Sequence, residues 1–119
     1  MAIAPVPNRG KIWLVDFDPA VGAEIRKLRP ALVISVNTMG RLPLRTVVPI
    51  TDWKPQYAAY PWFVALPASI TTGLSKDSGA DAFQVKSISL ARFVSLLGTA
   101  STEQVEGVAS AIALCVGAP

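Results

Sequence analysis

The stretch from Arg9 to Ser35, RGKIWLVDFDPAVGAEIRKLRPALVIS, decides the fold. Its first part, Lys11 to Phe17, is β-branched and aromatic. Ile12, Leu14 and Asp16 alternate there with Trp13, Val15 and Phe17, which predicts a strand covered on both faces. Asp18-Pro19 ends it. Pro30 fits only the start of the next run, and Ala31 to Val36 predicts a second, continuously apolar strand. Between them, residues 18–29 form a hairpin-like loop carrying Glu24, Arg26, Lys27 and Arg29. A small barrel can present a charged site in this way without placing charge in its core.

Working outward, Thr46 to Thr51 predicts a third strand, with Pro49 marking a bulge or an edge because it lacks a ladder donor. Trp62 to Leu66 predicts a fourth and Asp81 to Ile88 a fifth. Strands at this spacing suggest a small barrel or half-barrel. Ser89 to Leu97 is read as a short helix. Ser101-Thr102-Glu103-Gln104 has the form of a capping box, and Val105, Val108, Ala109, Ile112 and Cys115 or Val116 recur at helical spacing until Gly117 and Pro119. A C-terminal amphipathic helix follows. Residues 1–8, with Pro5 and Pro7, read as a loose tail. No internal repeat divides the chain, so 1–119 is expected to be one domain.

Composition narrows the chemistry. A chain of 119 residues buries roughly two-thirds of its unfolded surface, enough for one core without staples. Hydrophobic residues make up 51% and charged residues 16%, so apolar surface is left over for a partner. The net charge of +3 suits a polyanion but does not demand one. The chain has no histidine, which removes the commonest general base and metal ligand and any Ser-His-Asp triad. Cys115, the single cysteine, sits in the helical apolar pattern and reads as an inert thiol. Asp16 and Asp18 share a strand face, but such carboxylates more often cap a turn or pair with lysine, so neither metal nor cofactor is expected. With no signal-peptide pattern and no 18-residue apolar run, a cytoplasmic protein is expected.

What remains is an arginine-centred anion site. The planar donors of Arg29 match two oxygens of a phosphodiester, and Pro30 would hold that residue at the strand mouth. The residues alone leave a second reading open, in which Arg29 pairs with Glu24 or Asp18 to pin the loop. Glu24 could equally bridge to Arg26 or Lys27, and Thr51 could be an ordinary strand-end threonine.

The order Gly10-x-Ile12-Trp13-x-Val15-Asp16-x-Asp18-Pro19-x-Val21-Gly22-x-Glu24, followed by Arg29-Pro30-x-Leu32-Val33-Ile34-Ser35, resembles the MazF/PemK toxins, metal-independent endoribonucleases of bacterial toxin-antitoxin pairs. A second segment is also similar to that family, with Asp77, Ser78 and Gln84 matching. There Lys86 replaces the usual arginine and Phe83 takes the usual acidic place, with Asp81 two residues earlier.

The resemblance implies a mainly β fold, an SH3-like small barrel with a C-terminal helix. It implies a homodimer that cuts single-stranded RNA to 2′,3′-cyclic phosphate and 5′-hydroxyl ends, with a cognate antitoxin as partner. Arg29, Thr51 and Glu24 fall on the catalytic positions: Arg29 for charge stabilisation and proton donation, Thr51 to orient a phosphate oxygen, Glu24 as candidate base. Arg26 and Lys27 would track the RNA backbone and Trp53 would stack on a base. Ser78, Gln84 and Lys86 would supply further RNA contacts, whereas Trp13 and Trp62 read as packing residues. Two rivals carry a different function. A CcdB-like gyrase inhibitor shares the barrel but relies on a C-terminal tryptophan, where this chain ends Val116-Gly117-Ala118-Pro119; an inactive RNA-binding barrel would keep the residues without the reaction.

Overall fold

The computed structural model describes residues 6–39 and 41–119. Seven antiparallel strands precede one helix: β1 Lys11–Asp16, β2 Leu28–Val33, β3 Leu44–Asp52, β4 Phe63–Leu66, β5 Ser78–Asp81, β6 Lys86–Ser89, β7 Phe93–Thr99 and α1 Thr102–Cys115. Their order in the sheet is β4-β5-β3-β2-β1-β7, with β6 paired to β3 beside β5. Strands β4 and β7 end this path, so the sheet curls as a barrel without closing through strand pairing. Of the predicted tail, residues 1–5 lie outside the described residues; Pro7 is buried, and its carbonyl accepts from Arg45 Nε at 2.8 Å.

The alternation in β1 places its residues in two cores, one on each face of the sheet. Ile12 joins Leu32, Val48, Ile50 and Leu66 beneath α1, while Trp13, Val15 and Phe17 join Ala31, Val33, Val47 and Ile88. Each fully buried aliphatic side chain contributes roughly 1.5–3 kcal/mol of transfer free energy, so a slip in register, which would exchange the faces, is strongly disfavoured. Trp13 packs as expected, its ring edge-on to Phe93 at 5.8 Å.

Several boundaries differ from the sequence reading. Strand β2 begins at Leu28, so Arg29 and Pro30 belong to the strand. The fifth strand predicted over Asp81–Ile88 is broken: Asp81 ends β5, which begins at Ser78, and a 3-10 turn, Ala82–Gln84, separates it from β6, the turn's cap being the Asp81 side chain, which accepts from the Phe83 N–H at 3.2 Å. The break has a cause in β3, which pairs with β6 over Leu44–Val47 and with β5 over Ile50–Asp52. Val48 and Pro49 stand in the gap, where the donor that Pro49 lacks is not required. Finally, the short helix expected over Ser89–Leu97 is absent. A 3-10 turn at Leu90–Arg92 leads instead into β7, which completes the β1 edge. Pairing along β1 outweighs the weak helical preference of Ala91 and Leu96 to Leu97.

The capping box is present as predicted: Ser101 Oγ accepts from the Gln104 N–H, and Gln104 Oε1 accepts from the Ser101 N–H. Val105, Val108 and Ala111 are buried, with Ala109 and Ile112 packed at the margin. Two glycines give opposite tests. A Cβ on Gly73, at φ +73°, would lie 2.1 Å from the Leu97 carbonyl oxygen, so Gly73→Ala should destabilise the fold by roughly 3 kcal/mol or more. Gly107, inside α1, would place its Cβ no nearer than 3.8 Å to Val64, and Gly107→Ala should stabilise by about 1 kcal/mol. Urea unfolding of the two variants reads both signs.

Candidate nucleic-acid interface and active site

The ladder between β2 and β3 ends at Ala31↔Pro49. Arg29 of β2 and Thr51 of β3 each lie two residues beyond that last pair, on the strand face that Val33 and Val47 share. Two of the three catalytic candidates, far apart in sequence, therefore stand at adjoining ends of two paired strands. Arg29 is half-buried, and its Nε reaches the Arg26 carbonyl at a long 3.4 Å. Its terminal nitrogens have no hydrogen-bond partner among the described residues. The alternative in which Arg29 pairs with Glu24 or Asp18 is not realised: the ion pair among the described residues is Lys76 with Asp52, at 3.8 Å on the surface. Thr51 pairs with Gly79 of β5.

The loop from Phe17 to Lys27 delivers the third candidate. Its base is closed by the Phe17 N–H donating to the Lys27 carbonyl at 3.0 Å. Asp18 Oδ1 accepts from the Lys27 N–H, also at 3.0 Å. Lys27 holds φ +69°, a left-handed conformation that costs a non-glycine residue about 1 kcal/mol, which these two bonds offset. Arg92 Nη1 donates to the Asp16 and Asp18 carbonyls at 3.0 and 2.6 Å and binds the loop to the start of β7. Asp16 and Asp18 are thus turn-forming residues, and Arg92 is a support that nothing in its local sequence signals. Higher in the loop, Glu24 Oε1 accepts from the Val21 N–H at 2.7 Å, and the residue is exposed. Arg26 Nη2 donates to the Gly22 carbonyl at 2.8 Å. Arg26 and Lys27 are exposed.

Glu24 lines an open cleft of about 410 Å³ together with Ala23, Ile25, Phe83, Gln84, Val85 and Lys86. Lys86, at the start of β6 opposite Val47, lies on this cleft. Phe83 is 66% exposed and its ring meets Trp62 edge-on at 6.1 Å. Trp62 itself stacks on Tyr60 at 4.8 Å and lies just before β4. Trp53, two residues beyond Thr51, is half-buried: a Cβ on Gly79 would meet its ring at 3.0 Å, and Tyr57 meets it edge-on at 5.7 Å. An indole held in this way is rigid.

Two predicted contacts are engaged within the fold. Ser78 is buried and its hydroxyl donates to the Lys76 carbonyl at 2.9 Å. The Gln84 amide faces inward, with Nε2 donating to Asp81 Oδ2 at 3.3 Å and to the Ala23 carbonyl at 3.4 Å, and Oε1 accepting from the Ile25 N–H. Burial pushes the Asp81 carboxyl above its ordinary value of 3.8, against hydrogen bonds from Phe83 and Gln84 that pull it down.

Comparison with known proteins places the chain in a family. Residues 8–116 match the model described as PemK-like, MazF-like toxin of type II toxin-antitoxin system. The chain is 38% identical to "Endoribonuclease MazF9" of Mycobacterium tuberculosis over 113 residues, 90% of this chain and 93% of that one. It is 34% identical to "Endoribonuclease toxin MazF" of Escherichia coli K12 over 94% of this chain and 96% of the other. Among solved structures, MazF (Form-I) from Deinococcus radiodurans superposes with a TM-score of 0.82 at 26% identity, covering 96% of this chain and 99% of that one. The fold is that of a PemK/MazF-type toxin, and the chain belongs to that family.

The buried carboxyl gives a pH test. Because the folded Asp81 carboxyl binds its proton more tightly than the unfolded one, its contribution to stability is greatest in acid. It falls as pH rises from 3.8 through the raised value, then stays level. Urea unfolding at a series of pH values should show wild type losing stability relative to Asp81→Asn across that interval, with no further change near neutrality.

Proposed function

We propose that the chain is a sequence-specific, metal-independent endoribonuclease toxin that cuts single-stranded RNA and is neutralised by a cognate antitoxin. The observation that carries this reading is the position of Arg29 and Thr51 just beyond the last β2–β3 pair, with no carboxylate paired to the Arg29 guanidinium among the described residues. In the reaction, the ribose 2′-oxygen attacks its own phosphorus and the bond from phosphorus to the 5′-oxygen breaks. The products are a 2′,3′-cyclic phosphate and a 5′-hydroxyl. Glu24 takes the 2′-hydroxyl proton, Arg29 neutralises the charge that builds on the phosphoryl oxygens and protonates the leaving 5′-oxygen, and Thr51 donates to a phosphoryl oxygen. Arg26, Lys27 and Lys86 follow the phosphates, and Trp53 offers a rigid face to an unpaired base.

Two related solved structures, MazE-MazF complexes from Deinococcus radiodurans at 27% identity, support an antitoxin of that type as partner. The described residues contain no helix long and apolar enough to cross a membrane, and action on mRNA would place the protein in the cytoplasm. Apolar side chains left exposed, among them Val94 and Leu96 on the β7 edge, support a homodimer.

Incubation with mixed-sequence single-stranded RNA in EDTA tests the reaction. Cleavage with cyclic phosphate ends is expected, reduced roughly 10²–10³-fold in Arg29→Ala and in Glu24→Gln. Intact RNA, or full activity in Arg29→Ala, would overturn the mechanism, and gyrase inhibition without RNA cleavage would favour a CcdB-like inhibitor.

A further inference from the structure

The carbonyl of Ala23 and the N–H of Ile25 flank Glu24, and both are bound by one side chain. Gln84 presents its Nε2 to the first and its Oε1 to the second, as a neighbouring strand would present a peptide group. The orientation of that amide is fixed by its partners. The Ile25 N–H requires an acceptor, while the Ala23 carbonyl and Asp81 Oδ2 both require a donor. A flipped amide would set its carbonyl against the Asp81 carboxylate and its NH2 against an N–H. Asp81 is itself immobile: it closes β5, is buried, and spends its other oxygen on the Phe83 N–H at 3.2 Å.

We propose that Asp81 and Gln84 form a positioning relay: Gln84 clamps the loop backbone on both sides of Glu24, and Asp81 locks the amide in the one orientation that can do so. This gives Gln84 an inward role in place of an RNA contact. The part that concerns catalysis rests on the ribonuclease reading above; the clamp does not. Loops of this length with few apolar contacts open readily, and here the half-buried Ile25 supplies the packing against the second core. Without the clamp, Glu24 would sample positions away from the reacting 2′-oxygen, and a displacement of about 1 Å at such a group can cost on the order of 10²-fold in rate.

The test measures amide hydrogen exchange at Ile25 in the free protein, alongside kcat and KM on a defined single-stranded RNA. Gln84→Met keeps the volume and removes all three bonds. It should speed Ile25 exchange on the order of tenfold, as for loss of a single hydrogen bond, and lower kcat at least as much with KM nearly unchanged. Asp81→Asn should show the same pattern more weakly, and the double variant should be no worse than Gln84→Met alone, because Asp81 acts through Gln84. Val105→Ala, at the far end of α1, should lower the melting temperature without altering Ile25 exchange or kcat.

Unchanged Ile25 exchange in Gln84→Met would overturn the clamp, and additive effects in the double variant would overturn the role of Asp81. A loosened loop with unchanged kcat would overturn the positioning of Glu24. If the wild-type protein cuts no RNA, the ribonuclease reading and the catalytic half of the relay fall together, while the exchange measurements still decide the clamp.

Discussion

Strand β3 cannot keep one neighbour along its whole length, and the site depends on that constraint. On one side it pairs with β2; on the other it takes β6 along its first half and β5 along its second. Proline at position 49 supplies no donor where the partners change. The segment that bridges from β5 to β6 must cross this gap in a few residues, so it turns through Ala82–Gln84 and projects Phe83, Gln84 and Lys86 to one side. The same stretch of β3 continues to Thr51. A single interruption in one ladder therefore places the cleft wall beside the strand that carries Thr51.

Burying a carboxylate at the end of β5 is unfavourable, and the raised affinity of Asp81 for its proton reports that cost. An asparagine would avoid it but could satisfy only one of the two donors, because its NH2 would face the other N–H. Only an acceptor at both oxygens can cap the 3-10 turn through Phe83 and hold the Gln84 amide. The fold thus accepts a local desolvation penalty to fix a geometry that reaches, through one glutamine, the backbone around Glu24. Buried polar groups that are fully partnered give uniqueness more readily than stability.

Much of this was legible in the chain, and the failures have a common origin. Strong period-two alternation in Lys11–Phe17 and the Ser101/Gln104 box are local signals, and both elements formed as read. Arg29, Thr51 and Glu24 were singled out by resemblance, whereas the nearness of the strand ends that carry Arg29 and Thr51 follows from a register that no local pattern reports. The Ser89–Leu97 segment was misread because its conformation is set by the unpaired edge of β1, a partner about eighty residues earlier. The single strand expected over Asp81–Ile88 failed for the same reason, since the break answers the β3 partner change. Ser78 and Gln84 looked like surface contacts because a polar side chain in sequence does not reveal whether its partner is solvent or backbone.

The site combines parts of unequal stability. Arg29 and Thr51 stand on strands whose neighbours Ala31, Val47 and Val48 are fully buried, so displacing them would disrupt a core. Glu24, Arg26 and Lys27 stand on a loop held by a handful of hydrogen bonds, each contributing about 1 kcal/mol net. Opening that loop therefore costs a small fraction of global unfolding. The group assigned to stabilise phosphoryl charge is fixed in place, whereas the group assigned to remove a proton can be withdrawn. A ligand that drew the loop from the Gln84 clamp would displace the base while leaving the anion site intact, so occupancy of the cleft and competence for reaction can be separated by a few hydrogen bonds around one residue.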